Sequence, residues 1–267
     1  MRSTDVYREW RRDNGVWCKG ELEHILTEYP WSKETADFYG MVCAKLYHIY
    51  SPRAMIRLHE WMALHQAMRN QPYMVDEGLM RFKVQKDILA KWVKKRRQWA
   101  TVADIGGQQG EMGINWIGLP GVKRCVVVEL AMTNCKMGNL FYNDPRLHFV
   151  QAMGERCPLQ DNSVDVAILS GVLEHVLAPD QWVAEAERIT RPKGLIMIQV
   201  PYGGAEGAPN PEADKLSFRS HVQSINPFKY IEDHRVVAQN YLRYTGIVHF
   251  PHAMIGEAGE FTVAYER

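Results

Sequence analysis

Cysteine is scarce in this chain. Five are present among 267 residues (Cys18, Cys43, Cys125, Cys135 and Cys157), an odd number with no C-x-x-C spacing. That argues against a disulfide framework and against a zinc-ribbon ligand set, and it predicts reduced thiols in a cytoplasmic protein. No apolar run approaches the roughly 18 residues a membrane helix needs. The opening segment MRSTDVYREWRRDNG has no apolar core of the kind a secretory leader carries. Internal repeats and low-complexity tracts are lacking, as is any compact His/Asp/Glu group of metal-ligand spacing. Charge of one sign is lacking overall, since the formal net charge is +1.

What is present is divided along the chain. Residues 1–100 carry 18 Lys and Arg against 12 Asp and Glu, and residues 101–267 carry 14 against 19. Such a split suggests two regions with different tasks. A composition 46% hydrophobic and 24% charged is that of a globular chain with a real core.

Residues 1–98 read as helices with few glycines. Ser51-Pro52 has the form of a helix start, and Met55, Leu58, Met62 and Met68 follow at helical spacing as a packing stripe. A further helix is predicted over 77–97. Its stretch RFKVQKDILAKWVKKRR, Arg81 to Arg97, holds eight Lys and Arg against one acid. This is a solvated face or a contact for an anionic partner: nucleic acid, lipid surface or phosphorylated acceptor.

From residue 100 short apolar runs alternate with helical stretches: TVADI, RCVVVEL, LHFVQ, VDVAILS and GLIMIQVP as strands, AMTNCKMGNLFYN and PDQWVAEAERIT as helices. Pro192-Lys193-Gly194 is expected to end the second helix. A helix near 227–243 and two last strands, TGIVHF and EFTVAYE, complete the pattern. Alternation of this kind predicts parallel pairing, and unbroken apolar strands predict a sheet covered on both faces. The expected fold is a doubly wound, mostly parallel α/β sheet over 99–267 behind an N-terminal helical region, 1–98, that serves as lid or acceptor wall.

In such sheets ligands lie beyond the carboxyl ends of the strands where strand order reverses. Here that place is Asp104-Ile105-Gly106-Gly107-Gln108-Gln109-Gly110. The run is not the G-x-G-x-x-G that seats a pyrophosphate on a helix start. A carboxylate at Asp104 would repel a pyrophosphate but suits the ammonium end of an amino-acid-bearing nucleoside. Glu129, at the end of the second strand and about 20 residues further on, is placed to accept ribose hydroxyls.

These residues resemble the class I S-adenosylmethionine-dependent methyltransferases, in particular the broad small-molecule group with an L-E-H sequence after the fourth strand. The family's D-x-G-x-G-x-G is matched by Asp104, Gly106 and Gly110, and its acidic second-strand end by Glu129. Its third and fourth motif region resembles Glu155 to Asp165 running into VAILSGVLEHV, and RPKGLIMIQVP resembles its fifth strand and the preceding turn. The likeness covers 100–201 well and 202–267 loosely. It implies a Rossmann-like, seven-stranded methyltransferase fold with S-adenosyl-L-methionine as cofactor. The implied cofactor-binding residues are Asp104, Gly106, Gly107, Gln108, Gly110, Glu129, Leu130, Gly154, Glu155 and Ser170. Gln108 stands at the family's middle glycine. Met153-Gly154 stands where an acid often meets the adenine amino group.

His175, after the fourth strand, and His221, after the fifth, are the candidate bases, since an unperturbed imidazole titrates near ~6.5. Both have blander readings, as a loop-orienting and a surface histidine. The segment 202–216, rich in Gly, Pro and acids, is read as a loop over the acceptor. The leading expectation is methyl transfer to a small-molecule or sugar-like acceptor at oxygen. One alternative makes RNA or DNA the acceptor, although no D/N-P-P-Y/F motif is present. Another is a methyltransferase-like protein without catalysis, motivated by Gln108 and Met153.

Overall fold

The computed structural model describes His59 and residues 82–96, 99–176, 178–202, 225–244 and 258–267. The expected helix start at Ser51-Pro52, the methionine stripe, the loop from 203 to 216, His221 and the strand at 245–250 lie outside the described residues.

The chain enters the described region with α1 (Lys83–Arg96). It then alternates: β1 (Ala100–Ile105), α2 (Glu111–Ile117), β2 (Val122–Glu129), α3 (Met132–Tyr142), β3 (Leu147–Gln151), β4 (Val164–Ser170), α4 (Pro179–Ile189) and β5 (Thr190–Tyr202). β6 (Arg235–Tyr244) and β7 (Ala258–Glu266) follow. Among the described residues these strands form one seven-stranded sheet in the order β3-β2-β1-β4-β5-β7-β6. β1 pairs in parallel with β2 and β4, whereas β7 runs antiparallel to both β5 and β6. The order therefore reverses between β1 and β4, as the doubly wound reading requires.

Every residue of β1 is buried, which an apolar six-residue strand achieves only at the centre of a sheet covered on both faces. Alternate side chains serve the two faces. Val102, Val127, Val166, Ile168 and Met197 meet Leu89, Trp92 and Val93 of α1 and Trp116 of α2. Ala103, Ile105, Val128, Ala167, Leu169 and Ile198 meet Trp182, Val183 and Ala186 of α4. The basic helix thus packs its apolar stripe into the core of the sheet. Arg96 at its end is tied by Nη2 to Glu266 Oε1 at 2.7 Å and to the Lys193 carbonyl at 2.8 Å. Lys83, Lys91, Lys94 and Lys95 remain exposed.

Two expectations are corrected. The run 227–243 is not a helix: Pro227–Tyr230 forms one short 3-10 turn, and Arg235–Tyr244 is β6, the edge strand paired with β7. Its backbone bonds come from a segment far along the chain, so tertiary pairing outweighs the local pattern, and Val236-Val237 suit the extended form. Helix α4 ends at Ile189, before the Pro192-Lys193-Gly194 signal. The signal instead sits in a bulge, because β4 pairs Val164 with Thr190 and then Val166 with Leu195. Lys193 takes φ 62 there, and Arg191 reaches Asp165 at 2.5 Å.

α3 approaches β3 and the glycine turn at Gly138, where a Cβ would enter both the Phe149 ring and the Gln109 carbonyl. Gly138→Ala is expected to cost about 1–3 kcal/mol of stability through overpacking. Gly118→Ala has no neighbour nearer than 3.3 Å at a φ of −72 and should be neutral or stabilising. Thermal unfolding of the two variants checks the contrast; equal midpoints would contradict it.

Candidate active site

The site is built on the step from β1 into α2. Asp104 continues the face of Val102 but is polar and only 3% exposed. After Ile105 the chain must turn at once to lie across the strand ends. Gly106 does so with φ 79, held by its N–H to the Val128 carbonyl at 2.8 Å. A Cβ there would stand 2.6 Å from Val172 Cγ2, so the turn is wedged against the segment leaving β4. Gly110, with φ 81, caps α2, and its N–H closes the turn on the Gly107 carbonyl at 2.9 Å. Between them Gln108, at the family's middle glycine, keeps the left-handed form with φ 49. A non-glycine residue holds that form only at a cost of roughly 1–2 kcal/mol, so the surroundings impose it.

One of those surroundings is Glu129. Its Oε2 accepts from the Gln108 N–H at 3.1 Å, and its Oε1 accepts from the Ala131 N–H at 2.9 Å and Asn134 Nδ2 at 3.2 Å. This carboxylate, 5% exposed, joins the glycine turn to the start of α3. Asp104 Oδ2 accepts from Trp116 Nε1 at 3.2 Å. Glu111, in the first turn of α2, is the third acid and was not singled out in the sequence.

Burial raises Asp104 to about 7; the Trp116 bond opposes this and the Glu129 charge adds to it. Glu111 is likewise raised to about 7, first by burial and then by the charges of Asp104 and Glu129, against backbone hydrogen bonds that lower it. The place is therefore strongly electronegative and favours a cation. S-adenosylmethionine carries two, an ammonium and a sulfonium, so the donor set fits that group.

The remaining predicted residues divide. Leu130 follows β2, its carbonyl accepting from Gln151 Nε2 at 3.0 Å. Gly154 is buried beneath Trp182, where a Cβ would enter the indole. Glu155 is half-buried, and its Oε2 has no hydrogen-bond partner. Ser170 closes β4 level with Gly106 on the neighbouring strand, since Leu169 pairs with Ile105. Its hydroxyl donates to Gln199 Oε1 at 2.5 Å. His175 ends the 3-10 turn Leu173–His175, with Nε2 3.9 Å from Glu174 Oε1. His59 was missed because it lies within a helix assigned to packing. It is helical, and it is lowered to about 4 by burial and by the charge of His175, so the two imidazoles are neighbours.

The raised acids predict a pH dependence. A carboxyl whose folded pKa lies above its unfolded value of 3.8 adds stability fully below that value and loses it as pH rises through about 7. Asp104→Asn should flatten the fall in thermal midpoint between about pH 5 and pH 8, and leave the variant more stable than the parent at the alkaline end. An unchanged slope would mean that Asp104 is ionised across the range.

Residues 104–198 match the family model described as a methyltransferase domain. An uncharacterized methyltransferase of Mycobacteroides abscessus is 35% identical over 118 residues, 40% of this chain and 43% of that protein. One from Mycobacterium ulcerans is 46% identical over 63 residues, 22% of this chain and 25% of that one. The chain thus matches less than half the length of these curated relatives. Among solved structures, a geranyl diphosphate methyltransferase in complex with S-adenosylmethionine superposes with a TM-score of 0.54 at 14% identity, over 76% of this chain and 94% of that one. The [4+2]-cyclase SpnF superposes with a TM-score of 0.51 at 11% identity, over 68% and 80%. These two likenesses concern the fold. Among the described residues no helix is long and apolar enough to cross a membrane. Motif, sheet order and family match agree for residues 104–198, which form a methyltransferase domain.

Proposed function

We propose that the chain transfers the methyl group of S-adenosyl-L-methionine to the oxygen of a small-molecule or sugar-like acceptor in the cytoplasm. The observation that carries this is the group of three acids, Asp104, Glu111 and Glu129, around the glycine turn, two of them raised to about 7. A site of that charge suits a cationic nucleoside and repels a nucleotide phosphate.

When bound, the cofactor supplies an electrophilic methyl on sulfur. Asp104 and the backbone of Gly106, Gly107, Gln108 and Gly110 hold its amino-acid end, and Glu129 with Leu130 takes the ribose. Gly154 and Glu155 line the adenine end, where the unpartnered Glu155 Oε2 is a hydrogen-bond acceptor for the exocyclic amine. Ser170 stands toward the acceptor. Orientation supplies most of the rate in such a displacement, and a hydroxyl acceptor also needs a proton taken from it. His175 and His221 are the sequence-derived bases. His59, lowered to about 4 by burial and by the His175 charge, is neutral at ordinary pH and too weak a base to replace them.

A nucleic-acid acceptor is the weaker reading. The region beyond residue 100 is net acidic, and Arg96 of the basic helix is engaged with Glu266. An anionic partner at Arg81 to Arg97 would meet the exposed Lys83, Lys91, Lys94 and Lys95.

Calorimetric titration tests the cofactor pocket. Glu129→Ala is expected to weaken binding of S-adenosylmethionine at least tenfold, because ribose hydroxyls lose their charged acceptor. Lys94→Gln with Lys95→Gln should leave it unchanged. Parent-like affinity in Glu129→Ala would place the nucleoside elsewhere, and loss of affinity in the lysine variant would assign the basic helix to the cofactor site.

A further inference from the structure

Gln85 lies in the first turns of α1 and is completely buried. Its Nε2 donates to Ser170 Oγ at 3.0 Å and to Gln199 Oε1 at 2.6 Å. Ser170 and Gln199 face each other across β4 and β5, and the Ser170 hydroxyl donates to Gln199 Oε1 at 2.5 Å. They stand at the carboxyl ends of the strands, level with Gly106. Gln85 Oε1 is buried and has no hydrogen-bond partner.

This arrangement is poor as a purely structural dock. Ser170 and Gln199 already bond to each other, so Gln85 adds two donations while leaving one desolvated carbonyl unmatched. Buried carbonyls are nearly always paired, and an orphan is costly. A leucine or methionine would fill the volume without that cost. The orphan lies beside the strand, β4, whose end borders the glycine turn, which is where an acceptor must come to meet the methyl group.

We propose that Gln85 is a specificity-determining residue of the acceptor site, its buried amide oxygen taking a hydrogen bond from a hydroxyl or N–H group of the acceptor molecule at the ends of β4 and β5. The proposal rests on the methyltransferase reading above and adds a substrate class to it: neutral molecules bearing a hydrogen-bond donor close to the methylated atom. Ser170 and Gln199 act here as positioning residues, since together they fix the Gln85 amide by its nitrogen and leave its oxygen without a hydrogen-bond partner.

The test uses the full chain saturated with S-adenosylhomocysteine, whose retention is measured first. Phenol and aniline, which carry a donor, are then titrated against anisole and N,N-dimethylaniline, which do not, by ligand-observed NMR. The parent should bind at least one donor probe ten times or more tighter than its methylated counterpart, because a buried acceptor left unpaired discriminates strongly. Gln85→Leu should abolish the preference while S-adenosylhomocysteine is held as before; Gln85→Met, closer in shape, serves if the leucine variant does not fold. A parent that binds all four alike, prefers the methylated probes or binds none overturns the assignment, as does a preference that survives in the variant. A parent that fails to retain S-adenosylhomocysteine overturns the cofactor reading first, and the proposal with it.

Discussion

The structure turns on the burial of a carboxylate at the end of its central strand. Asp104 is placed where a side chain on the α1–α2 face of β1 would ordinarily be apolar, and it is enclosed by Trp116, the glycine turn and β2. Water is too far away to solvate its charge, so the site holds its proton up to about 7. A cation is the natural replacement for that proton. Glu129 and Glu111 deepen the same demand. The turn can approach so closely because Gly107 lacks a Cβ, which would stand 3.0 Å from the Asp104 carboxyl carbon.

The same face of the sheet changes character along its strands. Val102, Val127, Val166, Ile168 and Met197 form a dry core with α1 and α2. Asp104 lies in the row of Val127, Ile168 and Met197, and two residues further toward the carboxyl ends the row level with Gly106 holds Glu129, Ser170 and Gln199; all four are polar and largely buried. Helix α1 serves both, with Leu89, Trp92 and Val93 in the apolar layer and Gln85 in the polar one. A segment rich in Lys and Arg therefore reaches the polar ends of the strands through its buried Gln85 amide, while Lys83, Lys91, Lys94 and Lys95 face solvent.

Much of this was legible in the sequence. Buried parallel strands announce themselves as unbroken apolar runs, and the acid-then-glycine step after β1, with a second acid after β2, marked the buried acidic turn seen in the structure. Gln108 was visible as a departure; that it would still take the left-handed backbone of the glycine it replaces was not, because that depends on Glu129 bonding its N–H. β6 was hidden because its side chains over 235–240 are exposed or only half-buried, which leaves no apolar alternation to read, and its partner β7 comes many residues later. Glu111 and Gln85 were hidden for a shared reason: each is an ordinary polar helix residue until tertiary packing removes its water. The Pro192-Lys193-Gly194 signal was read correctly as a break and wrongly as the helix end, since a bulge uses the same residues.

If the acids of the glycine turn await a cation, then filling the site must expel protons. Calorimetric titration of S-adenosylmethionine into the full chain near pH 6.5, repeated in buffers of different ionisation enthalpy, counts them directly. The account predicts net proton release on binding, reduced in Asp104→Asn. Binding with no proton exchange, or with uptake, would show that the acids are already ionised in the empty site and that the central carboxylate does not work as described.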